Sequence, residues 1–209
     1  MASIDTPDIG LVTWDSEGME GGRFHSRKLH VPTDSSGLTI GRGYDMKERS
    51  ADEIVEHLTA CEVSADDAAK IAEAAGLSGQ QARNFIRDNE LESFEISPSG
   101  QKALFLITYE ALKKDVERIC TKDDVVQAYG ACDLATAHPA IVDILVDLRF
   151  RGDYTGAARR LIQKAAAQND LAAFAKALKN VANWPNVPKD RFQRRCAFLD
   201  KALAEPPAG

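Results

Sequence analysis

Positive charge is scarce in this chain of 209 residues, in which 26 Lys and Arg stand against 32 Asp and Glu and give a formal net charge of -6. This balance argues against binding to nucleic acid through bulk charge, so we expect no nucleic-acid partner. No apolar run reaches the length of a membrane span, and we expect no membrane insertion. The N-terminal residues carry neither a basic region nor an apolar run, which predicts that no signal peptide is present.

The four cysteines are few and widely spaced, without a Cys-x-x-Cys pair, and the four histidines show no ligand spacing. This pattern favours buried thiols over a zinc site, and we predict no metal and no cofactor. Whether disulfides form is left open by the sequence. The cysteines are Cys61, Cys120, Cys132 and Cys196.

Apolar residues make up 44% of the chain, enough for a folded core. One stretch, residues 33–45, departs from helical spacing and gathers glycines, hydroxyls and carboxylates. Within it Leu38 and Ile40 alternate with Thr39 in the period-two pattern of a short strand, and three glycines supply the freedom that tight turns need. The stretch predicts a small β-element in an otherwise helical protein.

The remaining chain carries helix signals. Thr6-Pro7 predicts the start of a first helix, with Ile9 facing the core, and Gly18 predicts its end directly after Glu17. From residue 50 onward, serine caps with a partner three residues later predict successive helices, beginning at Ser50, Ser64 and Ser78. Ser97-Pro98 predicts the start of a buried, strongly apolar helix that includes residues 103–109. Further helices are predicted over 123–129, 139–149, 156–167, 170–181 and 189–204.

These signals predict an α+β fold that is mostly helical. We expect one domain composed of a small α+β lobe over residues 1–49, a larger helical lobe over 50–204 and a frayed tail over 205–209, with a cleft between the lobes.

The N-terminal lobe holds the residues that glycoside hydrolysis requires. That reaction needs one carboxylic acid to protonate the leaving oxygen and a second carboxylate to activate water or attack the sugar. Glu17, at a helix end and near Trp14, is a candidate acid, because partial burial favours its protonated form. Asp34 and Asp45 flank the strand as candidates for the second carboxylate, and Thr39 offers a hydroxyl that could hold water.

Each of these residues also has an ordinary structural interpretation. Glu17 could cap or form an ion pair, Asp34 could make an Asx-turn, and Asp45 could lie on the surface. No one of them alone distinguishes an active site from a loop.

Taken as a pattern, Glu17-Gly18 followed by the run Gly37-Leu38-Thr39-Ile40-Gly41-Arg42-Gly43-Tyr44-Asp45 resembles the phage-type lysozymes, and most closely their pesticin-like muramidase branch. The resemblance implies a lysozyme-like fold, peptidoglycan as substrate, Glu17 as general acid and Thr39 as the site threonine. The aspartate is Asp34 if the phage order holds and Asp45 if the pesticin-like order holds. We favour Asp45, because the whole run up to it is present.

The resemblance implies a muramidase that cleaves the β-1,4 bond between N-acetylmuramic acid and N-acetylglucosamine for bacterial wall lysis, as a toxin, a secretion-system effector or a phage endolysin. Arg42 and Tyr44 are candidates for substrate contact. A cognate immunity protein is a further expected partner, and the expected place of action is the periplasm or wall of the target cell. The alternatives are a cell-wall or immunity-protein binding module without turnover, and a chitosanase-like or chitinase-like glycosidase.

Overall fold

A computed structural model of the chain describes residues 5–22 and 25–205. Within these residues it contains ten α-helices, one short 3-10 helix and a two-stranded antiparallel sheet, which confirms the predicted mostly helical α+β class. The predicted tail lies outside the described residues from position 206 on. The elements are α1 Leu11–Glu17, β1 Thr39–Ile40, β2 Tyr44–Asp45, α2 Ala51–Ala60, α3 Ala65–Ala72, α4 Gly79–Asp88, α5 Pro98–Cys120, α6 Asp123–Tyr129, α7 Pro139–Arg151, α8 Gly156–Ala167, α9 Leu171–Leu178, the 3-10 helix Val181–Asn183, and α10 Lys189–Ala204.

The predicted bounds of α6, α8 and α10 are confirmed. Helix α7 runs two residues further than expected and ends where Gly152 adopts a left-handed conformation with φ of 85°. A glycine carries no Cβ penalty in that region, so it suits the position just past a helix end. Helix α9 is shorter than predicted and ends at Leu178.

The predicted start of the first helix is wrong. Helix α1 begins at Leu11 and not at Pro7, because Gly10 has a φ of 70° and its backbone N–H donates to Asp143 at 3.1 Å. Ile9, expected to face the core, is 40% exposed. The predicted end is confirmed, since Glu17 is the last residue of α1.

Two of the three predicted serine caps are confirmed. The Ser50 hydroxyl accepts the Glu53 backbone N–H at 3.2 Å, and the Ser64 hydroxyl accepts that of Asp67 at 3.1 Å. Ser78 takes the cap position of α4, although no side-chain cap bond forms there in the described part of the chain. A side-chain acceptor at these positions satisfies a backbone donor that the helix leaves unpaired.

The chain folds into two compact units. One combines Glu17–Thr108 with the segment up to Pro7, and the other combines Asp8–Ser16 with the segment from Tyr109 on. The first unit has a core in which hairpin residues Leu38, Ile40, Tyr44 and Met46, each at most 1% exposed, pack with residues of α2 and α3. The predicted lobe boundary near residue 49 and the cleft stay predictions.

The second unit has a buried ionic cluster. Asp147 is fully buried and accepts hydrogen bonds from Arg191 and Arg195 of α10, both at 2.6 Å, and from the Thr13 hydroxyl at 3.1 Å. The two guanidinium groups compensate the buried carboxylate charge.

Over the residues described, none of the helices combines the length and the apolar character needed to cross a membrane.

Candidate active site

The hairpin β1–β2 presents two of the predicted site residues on one face. Its register pairs Thr39 with Asp45 and Ile40 with Tyr44 around a three-residue turn. Since successive side chains of a strand point to opposite faces, Ile40 and Tyr44 face the core, and Thr39 and Asp45 share the other face. Gly41 and Gly43 close the turn with φ of 62° and 82°, which glycine adopts without strain.

The side chains of Thr39 and Asp45 converge on the backbone of Gly37. The Thr39 hydroxyl donates to the Gly37 carbonyl at 3.2 Å, and the Gly37 N–H donates to the two Asp45 carboxylate oxygens at 3.1 and 3.0 Å. The Lys47 N–H also donates to Asp45 Oδ1, at 2.8 Å. Thr39 is 3% exposed and Asp45 is half-buried, so both side chains have fixed positions.

Glu17 ends α1, and the two residues after it are fixed to neighbouring segments. Arg42 Nη1, in the hairpin turn, donates to the Gly18 carbonyl at 2.7 Å, and the Ser26 hydroxyl accepts the Met19 N–H at 2.8 Å. A side chain at Gly18 would place a Cβ 2.2 Å from Ser26 Oγ and 2.9 Å from Arg42 Cγ. The Glu-Gly pair of the sequence therefore reflects a close approach that only glycine permits.

Glu20 forms the centre of a polar network beside this segment. Gln101 Nε2 donates to Glu20 Oε1 at 2.6 Å, Arg27 Nε donates to Oε2 at 3.0 Å, and Arg42 Nη2 lies 3.5 Å from Oε1. Burial opposes the charge, but the hydrogen bonds from Gln101 and Arg27 and the Arg27 charge hold the pKa of Glu20 below its usual value. At neutral pH Glu20 is therefore an anion beside the Arg42 guanidinium, which it helps to hold in place.

Asp34, the alternative second carboxylate, lies apart from this arrangement. Its side chain is 94% exposed and pairs with Arg83 of α4, with Nη1 2.9 Å from Oδ1. Of the two candidate aspartates, the register brings Asp45 opposite Thr39.

Arg42 and Tyr44, the predicted substrate contacts, are largely buried. Arg42 is 5% exposed and directs its guanidinium to Gly18 and Glu20. Tyr44 is 1% exposed, its hydroxyl hydrogen-bonds with His57 Nδ1 at 2.9 Å, and the Arg49 guanidinium lies 4.3 Å from its ring centroid. Burial raises the pKa of the Tyr44 hydroxyl above its usual value. Their substrate contacts stay predictions, while the observed contacts give both residues a structural role.

In the segments that the structure describes, no three or more His, Cys, Asp and Glu side chains are grouped in a way that would hold a metal ion.

Sequence reasoning missed three residues that support the candidate site: Ser26, Glu20 and Gln101. No local pattern points to them, since their contacts span sequence separations of 7, 22 and 81 residues.

A search of curated proteins finds no match to this chain. A family model described as Domain of unknown function (DUF8812) matches residues 10–196, a span that contains α1, the hairpin and all of the candidate site. The chain therefore belongs to the DUF8812 family.

Proposed function

We propose that this protein is a peptidoglycan hydrolase with a lysozyme-like fold, a muramidase that cleaves the β-1,4 bond between N-acetylmuramic acid and N-acetylglucosamine. Three side chains carry the proposed chemistry: Glu17 as general acid, Asp45 as the carboxylate that positions water, and Thr39 as its hydroxyl partner. The proposal rests on the sequence pattern together with the contacts around it.

The observation that carries the proposal is the hydrogen bond from Arg42 to the Gly18 carbonyl. Arg42 belongs to the turn of the hairpin that pairs Thr39 with Asp45, and Gly18 directly follows Glu17. One guanidinium thus ties Gly18 to the hairpin, and Glu17, Gly18 and Arg42 all belong to the same compact unit. Such a link favours a reaction that needs an acid and a second carboxylate at fixed positions.

In the proposed reaction, Glu17 protonates the glycosidic oxygen as the bond to the anomeric carbon breaks. Asp45 accepts a proton from a water molecule that attacks the opposite face of the sugar. Thr39 donates its own hydrogen to Gly37, so its oxygen is left to accept a hydrogen bond from that water. This inverting course needs the two carboxyl groups roughly 6.5–9.5 Å apart, and it yields the α-anomer as the first product.

Peptidoglycan lies outside the cytoplasmic membrane, so we propose that the protein acts in the periplasm or wall of a target cell after release or injection. A producer that carries the same wall needs protection, which is the reason to propose an immunity protein as partner.

The test is digestion of purified sacculi, with released reducing ends as the readout. Wild type should release muropeptides, and Glu17→Gln should lower the rate by about 100-fold or more, since a general acid contributes that much. The matched control is Glu56→Gln, the same change at an exposed glutamate of α2.

The outcomes separate the alternatives. Sedimentation of wild type with sacculi without release of reducing ends would point to a binding module. Release of reducing ends from chitosan but not from sacculi would point to a chitosanase-like enzyme. Activity on sacculi that survives Glu17→Gln would remove Glu17 from the mechanism.

A further inference from the structure

His30 lies beside the hairpin, on the side of β1 that faces away from β2. Its backbone N–H donates to the Thr39 carbonyl at 2.9 Å, and the Thr39 N–H donates to the His30 carbonyl at 2.8 Å. This mutual exchange is the pattern of two directly opposed residues in antiparallel segments. Thr39 therefore lies between His30 on one side and Asp45 on the other.

The side chain of His30 shares the face of Thr39 and Asp45. Directly opposed residues of antiparallel segments project to the same face, so these three residues form one row. The chain neighbours of His30 point the other way, since Leu29 is 7% exposed in the core of this unit and Val31 packs against that core. His30 itself is half-buried, and the whole row belongs to one compact unit.

A local hydrogen bond determines which nitrogen of the His30 ring carries the hydrogen. Nδ1 lies 2.9 Å from the Lys28 carbonyl oxygen, which can only accept, so Nδ1 is the donor. In the neutral imidazole Nε2 is then an acceptor. Among residues 5–22 and 25–205, none forms a hydrogen bond or an ion pair with this Nε2.

We propose that His30 Nε2 accepts a hydrogen bond from a hydroxyl of the glycan bound along this face, which makes His30 a substrate-contact residue. The inference rests on the proposed hydrolysis, because it assigns a further residue to the same site. Hydroxyls are the most numerous donors on a sugar. Within the row, Asp45 and the Thr39 oxygen are assigned to water, so His30 supplies the acceptor for the sugar itself.

Two substitutions separate this role from a structural one. Asparagine can place an amide N–H near the Nδ1 position, so His30→Asn keeps the bond to the Lys28 carbonyl and removes the Nε2 acceptor. Glutamine can place its Oε1 near the Nε2 position, so His30→Gln keeps an acceptor there and loses the bond to Lys28. A structural role tolerates asparagine better, whereas a substrate contact tolerates glutamine better.

The assay measures kcat and KM on soluble, peptide-free glycan chains, with released reducing ends as the readout and circular dichroism as the check of folding. His30→Asn should raise KM about 3- to 10-fold and leave kcat nearly unchanged, because one neutral hydrogen bond to the substrate is lost. His30→Gln should keep a KM close to that of wild type. The control is His138→Asn, because His138 Nδ1 accepts the Ala140 N–H at 3.1 Å at the start of α7, in the other unit, and asparagine is a good cap.

Nuclear magnetic resonance tests the contact without any change at His30. Long-range proton–nitrogen spectra of the labelled Glu17→Gln protein, in which turnover is slowed, follow the imidazole nitrogens as the same glycan is added. The His30 Nε2 resonance should shift upfield, as expected for a nitrogen that accepts a hydrogen bond, and the His138 resonances should stay in place.

Three outcomes would overturn the proposal: a wild-type KM for His30→Asn, an effect of His30→Gln as large as that of His30→Asn, or an unchanged Nε2 resonance at saturating glycan. If wild type neither binds nor cuts the glycan, the proposed function fails and the role of His30 fails with it. If wild type cuts the glycan while His30→Asn keeps its KM, only the role of His30 fails.

Discussion

Thr39 and Asp45 lie directly opposite each other across the hairpin, and both bind the backbone of one residue, Gly37. The Thr39 hydroxyl donates to its carbonyl, and the Asp45 carboxylate accepts its N–H. Gly37 has no room for a side chain there, since a Cβ would lie 2.4 Å from Asp45 Oδ1 and 2.7 Å from the Lys47 nitrogen. The glycine, the threonine and the aspartate of the sequence pattern therefore form one structural group.

Asp45→Asn should keep the fold and lose wall hydrolysis. Asparagine Oδ1 can still accept from both Gly37 and Lys47, whose nitrogens lie 3.1 and 2.8 Å from Asp45 Oδ1, and only the second Gly37 contact, at Oδ2, is lost. The charge that draws a proton from water is lost, so we expect the rate of reducing-end release to fall by about 100-fold or more. Asp34→Asn is the control, because its exposed ion pair with Arg83 contributes little to stability. If Asp34→Asn loses hydrolysis and Asp45→Asn retains it, the second carboxylate is Asp34.

Arg42→Gln tests whether the guanidinium positions Glu17. The change removes a charged donor from the Gly18 carbonyl and leaves the Glu20 anion with one partner fewer. We expect hydrolysis to fall by about 100-fold, since a displacement of about 1 Å can have that effect. Arg42→Lys should restore part of the rate, because an ammonium group can still donate to that carbonyl.

The control for Arg42 is Arg83→Gln, which removes a guanidinium from α4 within the same unit. Both proteins are to be compared by circular dichroism before the assay. A folded Arg42→Gln protein with unchanged hydrolysis would refute the positioning role while leaving Glu17 and Asp45 in place.

The parts of this site that were predictable are those encoded by near neighbours. Gly18 marks the end of α1 at Glu17, and the two glycines around Arg42 mark the hairpin turn. That turn already implies that Thr39 and Asp45 face each other, since the three turn residues and one residue of each strand, Ile40 and Tyr44, separate them. Which of the two aspartates acts in catalysis stays a prediction.

The supporting contacts were not predictable in this way. Gln101 reaches Glu20 across 81 residues, and Arg42 was expected to face substrate but directs its guanidinium to Gly18. A single sequence shows which residues carry charge, whereas the pairing of charges depends on which segments pack together. The prediction that α1 starts at Pro7 was wrong for the same reason, because the hydrogen bond from the Gly10 N–H to Asp143 joins residues 133 positions apart.

Gly18→Ala should destabilise the fold. Its Cβ would lie 2.2 Å from Ser26 Oγ, and Ser26 is 3% exposed and hydrogen-bonded to Met19 through both its donor and its acceptor. We expect the free energy of unfolding to fall by about 1–3 kcal/mol in a urea titration, as for other overpacked sites. Gly18→Ala combined with Ser26→Gly removes the clashing atom. The double variant should therefore lose less free energy of unfolding than the sum of the two single losses.

Gly156→Ala is the control for that titration. Gly156 begins α8, and the nearest atom to its Cβ would be Arg159 Nη2 at 3.8 Å. Alanine suits a helix better than glycine, so stability should stay equal or rise by up to about 1 kcal/mol. Equal behaviour of the two alanine variants would contradict the close approach at Gly18.

Glu20 should make the stability of the protein depend on pH in the acid range. The pKa of its carboxyl is lower in the folded protein than its usual value of 4.5, because the bonds from Gln101 and Arg27 outweigh the effect of burial. A lowered folded pKa means that the carboxylate stabilises the fold fully above the unfolded pKa, and that this contribution is lost as pH falls through the folded pKa.

Glu20→Gln should therefore be less stable than wild type at neutral pH, and the difference should shrink as the pH drops below 4.5. Urea titrations of both proteins across that range measure the difference, and Glu56→Gln, which removes the same charge from an exposed position, corrects for net charge. A gap between wild type and Glu20→Gln that stays constant down to the acid end would show that the Glu20 charge adds nothing to the network around Arg42.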